Sequence, residues 1–99
     1  MSGPEPSDSA AGCSRVTFYG RVQGVGFRYT TARIAKCFPI KGYVRNCADG
    51  TVELVAQGPG GQVERLLERI AEEFVGYIDH QKREEIPATE PFDGFEIRR

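Results

Sequence analysis

The chain has 99 residues, which is enough for one domain with a modest core and too few for two. An apolar content of 39% and a charged content of 27% are typical of a soluble globular protein and exclude a disordered or fibrous one. No apolar run approaches the roughly 20 residues that span a bilayer, and no basic region followed by an apolar stretch opens the chain, so we expect neither a membrane span nor a secretory signal.

The net charge of −1 conceals an uneven distribution along the chain. Residues 14–47 hold seven basic side chains and no Asp or Glu, whereas the other residues hold six basic and fourteen acidic ones. A cationic segment of this kind can create a local positive field that attracts anions despite a nearly neutral total. The alternative is that some of these side chains only solvate a helix face, as we expect for Arg33 and Lys36.

The cysteines bear on the redox compartment. Cys13, Cys37 and Cys47 are odd in number, widely spaced and without a CxxC pair. This spacing argues against a disulfide framework and against a zinc site. We therefore expect reduced thiols in a reducing cytoplasm, with one optional disulfide in an oxidising preparation as the alternative.

The N-terminal third predicts a tail, a strand and a helix. Residues 1–13 are small, polar and proline-containing, without periodicity, and predict a disordered tail. From Ser14 apolar and polar side chains alternate, which predicts a strand with one buried face. This face holds Val16, Phe18, Gly20 and Val22. After a loop with two glycines, an apolar stripe at helical spacing begins at Phe27 and ends where Pro39 disfavours the α conformation of the preceding residue.

The middle of the chain predicts a hairpin and a second helix. Residues 40–47 and 51–57 alternate, and the Asp49-Gly50 turn between them is a strong hairpin signal. The glycine-rich segment 58–61 then breaks the strand. Beyond it lies one apolar stripe with charged residues on the opposite side, which predicts a clear amphipathic helix. The stripe consists of Val63, Leu66, Leu67, Ile70 and Phe74.

The C-terminal part predicts two strands. Residues 77–86 are highly charged and alternate weakly, which favours a strand near the edge of a sheet. Residues 95–98 alternate in a short final strand. The resulting order, βαββαβ with an extra C-terminal strand, predicts the α+β class, as a ferredoxin-like sandwich in which an antiparallel sheet carries two helices on one face.

The junction of the first strand and the first helix has the features of an anion site. Backbone N–H groups of a glycine-bearing loop can converge on an anion, and the N-terminus of a helix adds positive potential. Arg28, in the first turn, would add a planar fork that matches two oxygens of a phosphate or carboxylate. The alternative is that the glycines merely turn the chain.

Two motifs narrow the function further. The first is Gly20-x-Val22-Gln23-Gly24-Val25-x-Phe27-Arg28. The second, on the hairpin, is Gly42-Tyr43-Val44-Arg45-Asn46-x-x-Asp49-Gly50-Thr51-Val52-Glu53. At this separation and in this order, the pair closely resembles the acylphosphatase family, and the similarity covers essentially all of residues 15–99.

The resemblance implies an α/β sandwich that hydrolyses the carboxyl–phosphate bond of acyl phosphates to a carboxylate and inorganic phosphate, with no metal or organic cofactor. It also implies that Arg28 binds the phosphate and that Asn46 holds the attacking water. The implied phosphate-binding loop comprises Gln23, Gly24, Val25, Gly26, Phe27 and Arg28. We accordingly expect an acyl phosphate as substrate, inorganic phosphate as product and inhibitor, no nucleic-acid or membrane partner, a monomer and a cytoplasmic location.

Some residues of this site leave alternatives open. Asn46 could instead support the hairpin turn, since asparagine often bonds nearby backbone. Gln23 could stabilise the loop, although we favour a ligand contact through its backbone. We expect the fold to require Gly24 rather than Gly26, because Gly26 occupies the variable position of the motif.

An acyl phosphate makes few demands on acid–base catalysis, because its carboxylate is already a good leaving group. Catalysis then consists mainly of gathering charge on the phosphoryl oxygens and aiming a nucleophile in line. The lack of an evident base fits this chemistry, and we expect an ordinary strand role for His80. The C-terminal carboxylate at Arg99 could reach Arg28 and hold it in position.

Two other functions compete with this interpretation. A nucleic-acid-binding module of the RRM type shares the element order, and residues 41–44 faintly echo its aromatic strand motif. Against it, residues 51–57 contain no aromatic side chain and the sequence pI is about 5.8. The other candidate is a non-catalytic binder of acyl or carbamoyl phosphate, like the related domains of hydrogenase-maturation proteins. The end of the chain at Arg99 favours a stand-alone enzyme instead.

Overall fold

The structure is a computed structural model that describes residues 12–88 and 91–99. The described chain forms five strands and two helices, and their order along the chain is the one that the periodicity predicts. In chain order they are β1 (Gly12–Gly20), α1 (Phe27–Ala35), β2 (Lys41–Asn46), β3 (Val52–Gly58), α2 (Gly60–Glu73), β4 (Ile78–Glu85) and β5 (Phe95–Arg98). Within these residues, neither helix is long and apolar enough to cross a membrane.

The strands form one sheet in the order β4-β1-β3-β2-β5. β1 runs antiparallel to β3 and β4, and β2 runs antiparallel to β3. β5 pairs with β2 in the parallel direction, so the sheet is mixed and the prediction of a purely antiparallel sheet is wrong in this detail. Alternation within a four-residue strand shows which side chains share a face. It does not show which strand lies beside it or whether the two strands run parallel or antiparallel.

One hydrophobic core lies between the sheet and both helices. Phe27, at the start of α1, connects these layers: its ring centroid lies 5.1 Å from that of Phe18 on β1 and 4.4 Å from that of Phe74, which follows α2. The predicted apolar stripe of α2 is buried in full. Of the predicted apolar face of β1, Val16, Phe18 and Val22 are buried, whereas Gly20 is exposed. Burial of Phe27 therefore fixes the position of the loop that precedes it.

Several element boundaries differ from the sequence prediction. β1 begins at Gly12, so residues 12 and 13 belong to the strand, and the carbonyl of the buried Cys13 accepts a hydrogen bond from the N–H of Ile86 at 2.9 Å. The rest of the predicted tail, residues 1–11, lies outside the described residues. α1 ends at Ala35, and the N–H of Cys37 donates to the carbonyl three residues earlier, a tighter turn ahead of Pro39.

α2 starts at Gly60, inside the segment predicted only to break the chain. Pro59 precedes the helix, and its carbonyl accepts hydrogen bonds from Gln62 and Val63 at 2.9 and 3.1 Å. Glycine is tolerated in this first turn, where the N–H groups have no helical acceptor. The charged strand β4 lies at the edge of the sheet, as predicted.

Candidate active site

The loop between β1 and α1 spans residues 21–26 and contains two residues in the left-handed backbone conformation. Gly24 and Gly26 both have a φ of +78°, a conformation that other residues rarely adopt. Gly26 directly precedes α1, with φ 78° and ψ 17°. The φ of Gly24 fits the expectation that the fold requires a glycine there. The expected contrast with Gly26 is wrong, because the chain enters α1 through a left-handed residue at Gly26.

The N-terminus of α1 is open to a ligand. The N–H of Thr30 donates to the carbonyl of Gly26 at 3.0 Å, and the N–H groups of residues 27–29 precede the first residue that can donate within the helix. No acidic side chain lies in the first turn, and no side chain caps it. The backbone donors and the positive end of the helix dipole are thus available to an anion.

A cavity of about 280 Å³ lies at this helix end. It is lined by residues from the loop, α1, the end of β2 and β5, namely Gly24, Gly26, Phe27, Arg28, Tyr29, Asn46 and Ile97. The fold thus brings together Arg28 and Asn46, which are far apart in sequence. A volume near the lower end of the range for ligand pockets suits a phosphate with a small organic group.

Arg28 is half-buried, and its guanidinium is anchored on one side. Its Nη1 donates a hydrogen bond to the backbone carbonyl of Arg98 at 3.2 Å. The anchor is thus a backbone oxygen at the end of β5, where the sequence suggested the carboxylate of Arg99. Because a guanidinium has five N–H donors in a fixed fork, others remain for a ligand in the cavity.

Asn46 is the last residue of β2 and pairs with Val52 of β3. Its side-chain Oδ1 is buried and has no hydrogen-bond partner within residues 12–88 and 91–99. A buried polar atom without a partner costs free energy, and such atoms often mark functional positions. Since Asn46 also lines the cavity, its amide is a candidate to bind a water or ligand there.

Asp49, rather than Asn46, supports the turn of the hairpin. Its Oδ1 accepts hydrogen bonds from the backbone N–H of Thr51 at 3.0 Å and from the Thr51 hydroxyl at 2.6 Å. These two bonds favour the ionised carboxylate and lower the pKa of Asp49 from its ordinary value. The turn therefore has its own side-chain support, which leaves the amide of Asn46 available for another role.

Gln23 connects the loop to the hairpin through its side chain. Its Nε2 donates to the carbonyl oxygens of Cys47 at 2.8 Å and of Thr51 at 2.9 Å. Both acceptors are close to Asn46, so one side chain sets the loop against the strand end that carries it. Sequence reasoning favoured a backbone role and missed this bridge, because nothing local relates Gln23 to carbonyls 24 and 28 residues away.

The sequence also missed two residues that line the cavity, Tyr29 and Ile97. Tyr29 is 73% exposed and lies off the buried stripe of α1, which was a usable signal beside Arg28. Ile97 could not be found without the pairing of β5. Of the predicted loop residues, Gln23 and Val25 are not among those that line the cavity.

His80 lies on β4, at the edge of the sheet, and its ring stacks on Tyr19 with centroids 4.2 Å apart. It is not among the residues that line the cavity. In the part of the chain that the structure describes, no group of three or more His, Cys, Asp or Glu side chains is arranged to hold a metal ion.

Comparisons with known proteins show which family the chain belongs to. The family model described as acylphosphatase matches residues 14–97. A curated acylphosphatase from Yersinia pseudotuberculosis is 48% identical over 82 residues, covering 81% of this chain and 88% of that protein. The crystal structure of acylphosphatase from Bacillus subtilis has a TM-score of 0.81 at 31% identity, with 89% of this chain and 99% of that one covered.

An acylphosphatase structure from Coxiella burnetii is similar at a TM-score of 0.80 and 33% identity, with 90% of this chain and 94% of that one covered. The mixed sheet with two helices is thus similar to the fold of these two solved acylphosphatases. The chain belongs to the acylphosphatase family.

Proposed function

We propose that this protein is an acylphosphatase and that the cavity at the N-terminus of α1 is its active site. A water oxygen bonds to phosphorus, the bond from phosphorus to the bridging carboxyl oxygen breaks, and a carboxylate and inorganic phosphate leave. The surplus proton of the water passes to the phosphate or to solvent. The observation that carries the proposal is that Arg28 and Asn46 line one cavity at an uncapped helix N-terminus.

The phosphoryl group would be bound by the backbone N–H groups at the start of α1 and by the guanidinium of Arg28. Charge on the equatorial oxygens grows or is redistributed in the transition state, where preorganised donors act most strongly. The bond from Arg28 to the carbonyl of Arg98 supports this role, because it restricts the guanidinium before substrate arrives.

Asn46 would position the attacking water. Its buried Oδ1 lacks a partner among the described residues, and a water O–H could supply one after a small rotation of the side chain. No strong general acid is needed, because a carboxylate of low pKa leaves readily. The position of His80 at the far edge of the sheet fits a mechanism without it.

The test is hydrolysis of benzoyl phosphate, followed by its loss of ultraviolet absorbance with and without EDTA. We expect turnover well above the uncatalysed rate, unchanged by EDTA, with inorganic phosphate inhibiting as a competitive product. Inorganic phosphate binding without turnover would instead indicate a non-catalytic binder. Strong loss of activity in EDTA would contradict the metal-free mechanism.

The nucleic-acid alternative is less well supported. The ring of Tyr43, on the open face of the sheet, has the guanidinium of Arg98 4.2 Å from its centroid, and its hydroxyl donates to Glu53 at 3.2 Å. This aromatic face is thus occupied by the protein itself.

The proposal also includes a monomeric state and a cytoplasmic location. The three cysteines form no disulfide, which fits a reducing compartment.

A further inference from the structure

A second cavity adjoins the proposed active site and follows α1 away from the phosphate loop. Its volume is about 180 Å³, and it is lined by Tyr29, Ala32, Arg33, Lys36 and Ile97. Tyr29 and Ile97 line both cavities. A molecule whose phosphate lies at Arg28 could therefore extend over these two side chains into the second cavity.

The boundary between the two cavities is apolar and exposed. Tyr29 is 73% exposed and Ile97 43%, and these are among the few large apolar side chains that the described chain leaves in solvent. A further one, Val25, belongs to the phosphate loop itself. Exposed apolar side chains gathered beside a polar site favour a ligand that has an apolar part next to its charged group.

The far end of the second cavity is cationic. Tyr29 and Arg33 are four residues apart on α1, and Lys36 is three further on, so all three share one side of the helix. Arg33 and Lys36 are exposed, and neither forms an ion pair with an acid within residues 12–88 and 91–99.

Three arginines on the sheet differ in this respect. Arg15, Arg45 and Arg83 each lie within 4.0 Å of a carboxylate. The sequence suggested that Arg33 and Lys36 only solvate a helix face. Both residues line a cavity that shares Tyr29 and Ile97 with the proposed phosphate site, so they can contact a ligand that extends from that site.

We propose that this second cavity is the acyl-group subsite and that it favours acyl phosphates of dicarboxylic acids. The acyl chain or ring lies on Tyr29 and Ile97, and the distal carboxylate binds Arg33 and Lys36. At a rise of 1.5 Å per residue, Arg33 is about 7.5 Å and Lys36 about 12 Å beyond Arg28 along the helix axis. The inference rests on the proposed function, because it assumes that the phosphate lies at Arg28.

The test compares benzoyl phosphate with its para-carboxy analogue, which differs only in the distal charge. We expect the wild-type protein to have a kcat/KM about 3- to 10-fold higher for the carboxy analogue, the range that two exposed ion pairs can supply. The Arg33→Gln, Lys36→Gln double variant brings this ratio close to one. High salt lowers the ratio for the wild-type protein, since the pairs are screened.

The matched control is the Arg65→Gln, Arg69→Gln double variant, which removes the same charge from the exposed side of α2 and keeps the wild-type ratio. An equal loss in both double variants, or a wild-type ratio near one, overturns the subsite. Tyr29→Ala provides an independent readout: it raises KM more for benzoyl phosphate than for acetyl phosphate, whose methyl group is too short for the second cavity. If no probe is hydrolysed at all, the proposed function fails rather than the subsite.

Discussion

Arg28 connects α1 to β5 at the proposed site, since it lies on α1 and its guanidinium donates to the backbone carbonyl of Arg98. Arg28 is the one side-chain cation among the described residues that line the cavity beside the loop, and alanine removes it. We expect Arg28→Ala to lower kcat/KM on the order of 10³-fold, by comparison with arginine in other phosphoryl transfers. The assay is benzoyl phosphate hydrolysis, with inorganic phosphate inhibition as the measure of binding.

Arg28→Lys is the informative companion, because lysine retains the charge but lacks the fork that matches two phosphate oxygens. It should recover only a part of the lost rate. Arg65→Ala, on the exposed side of α2, should leave both activity and inhibition unchanged. Activity near that of the wild-type protein in Arg28→Ala would remove Arg28 from the mechanism.

We expect Asn46→Ala to have a different kinetic effect from Arg28→Ala. If its amide holds the attacking water, the interaction matters mainly in the transition state, and Asn46→Ala lowers kcat far more than it weakens inhibition by inorganic phosphate. Its stability should be close to that of the wild-type protein, because Asp49 supports the turn. An Asn46→Ala variant that unfolds while Asp49→Ala stays folded would show that Asn46 supports the hairpin instead.

At the scale of elements, the site depends on how the loop is set against the hairpin. Gln23 provides two hydrogen bonds across this contact, and Gln23→Leu removes both. The two carbonyl oxygens keep only their backbone donors within the hairpin, the N–H groups of Gly50 and Cys47. We expect a loss of stability of about 1–3 kcal/mol. We also expect a fall in kcat that exceeds the change in KM, because Asn46 loses its alignment with the phosphate.

The readout for Gln23→Leu is urea unfolding alongside benzoyl phosphate kinetics. A purely structural role would lower stability but leave kcat of the folded fraction unchanged under native conditions. Gln62→Leu, on α2 and away from the cavity lining, is the matched control for the change in side-chain polarity.

The hairpin turn should also show a defined pH dependence. Hydrogen bonds from Thr51 hold the pKa of Asp49 below its ordinary 3.8 in the folded state. The stability that this carboxylate contributes is therefore complete above pH 3.8 and is lost as the pH falls through the lower pKa of the folded state.

This dependence is measured as the difference in urea midpoint between the wild-type protein and Asp49→Ala across the acid range. We expect the difference to shrink as the pH drops below the ordinary value. Thr51→Val, which removes the hydroxyl donor, should narrow the same difference. A difference in urea midpoint that grows toward low pH would contradict a lowered pKa of Asp49 in the folded state.

At the scale of the whole molecule, the periodicity of the sequence predicted the features that depend only on the spacing of side chains within one segment. The stripe of α2 and the alternating face of β1 follow from periods of 3.6 and 2, and Asp49-Gly50 marked the hairpin. The parallel pairing of β5, the bridge from Gln23 and the place of Ile97 in the cavity depend on contacts between distant segments. No local pattern contains these contacts, although both predicted side chains of the site, Arg28 and Asn46, do line one cavity.

Gly42 tests how far the site depends on the sheet as a whole. It lies in β2 between β3 and β5, with a φ of +145°, and an added Cβ would be 1.8 Å from the carbonyl oxygen of Val55. The N–H of Gly42 also donates to the carbonyl of Gly94 at 2.9 Å, just before β5 begins. Disturbing this residue should therefore displace β5, whose Arg98 carbonyl anchors Arg28.

Gly42→Ala is expected to lower the free energy of unfolding by more than about 2 kcal/mol, since both a strained φ and a backbone overlap must be relieved. The matched control is Gly61→Ala in the first turn of α2, where an added Cβ meets open space and the conformation is already helical. There the loss of chain entropy in the unfolded state should raise stability by about 0.4–1 kcal/mol. Urea midpoints compared at equal slope measure both effects, and equal midpoints for the two variants would show that the sheet yields easily at Gly42.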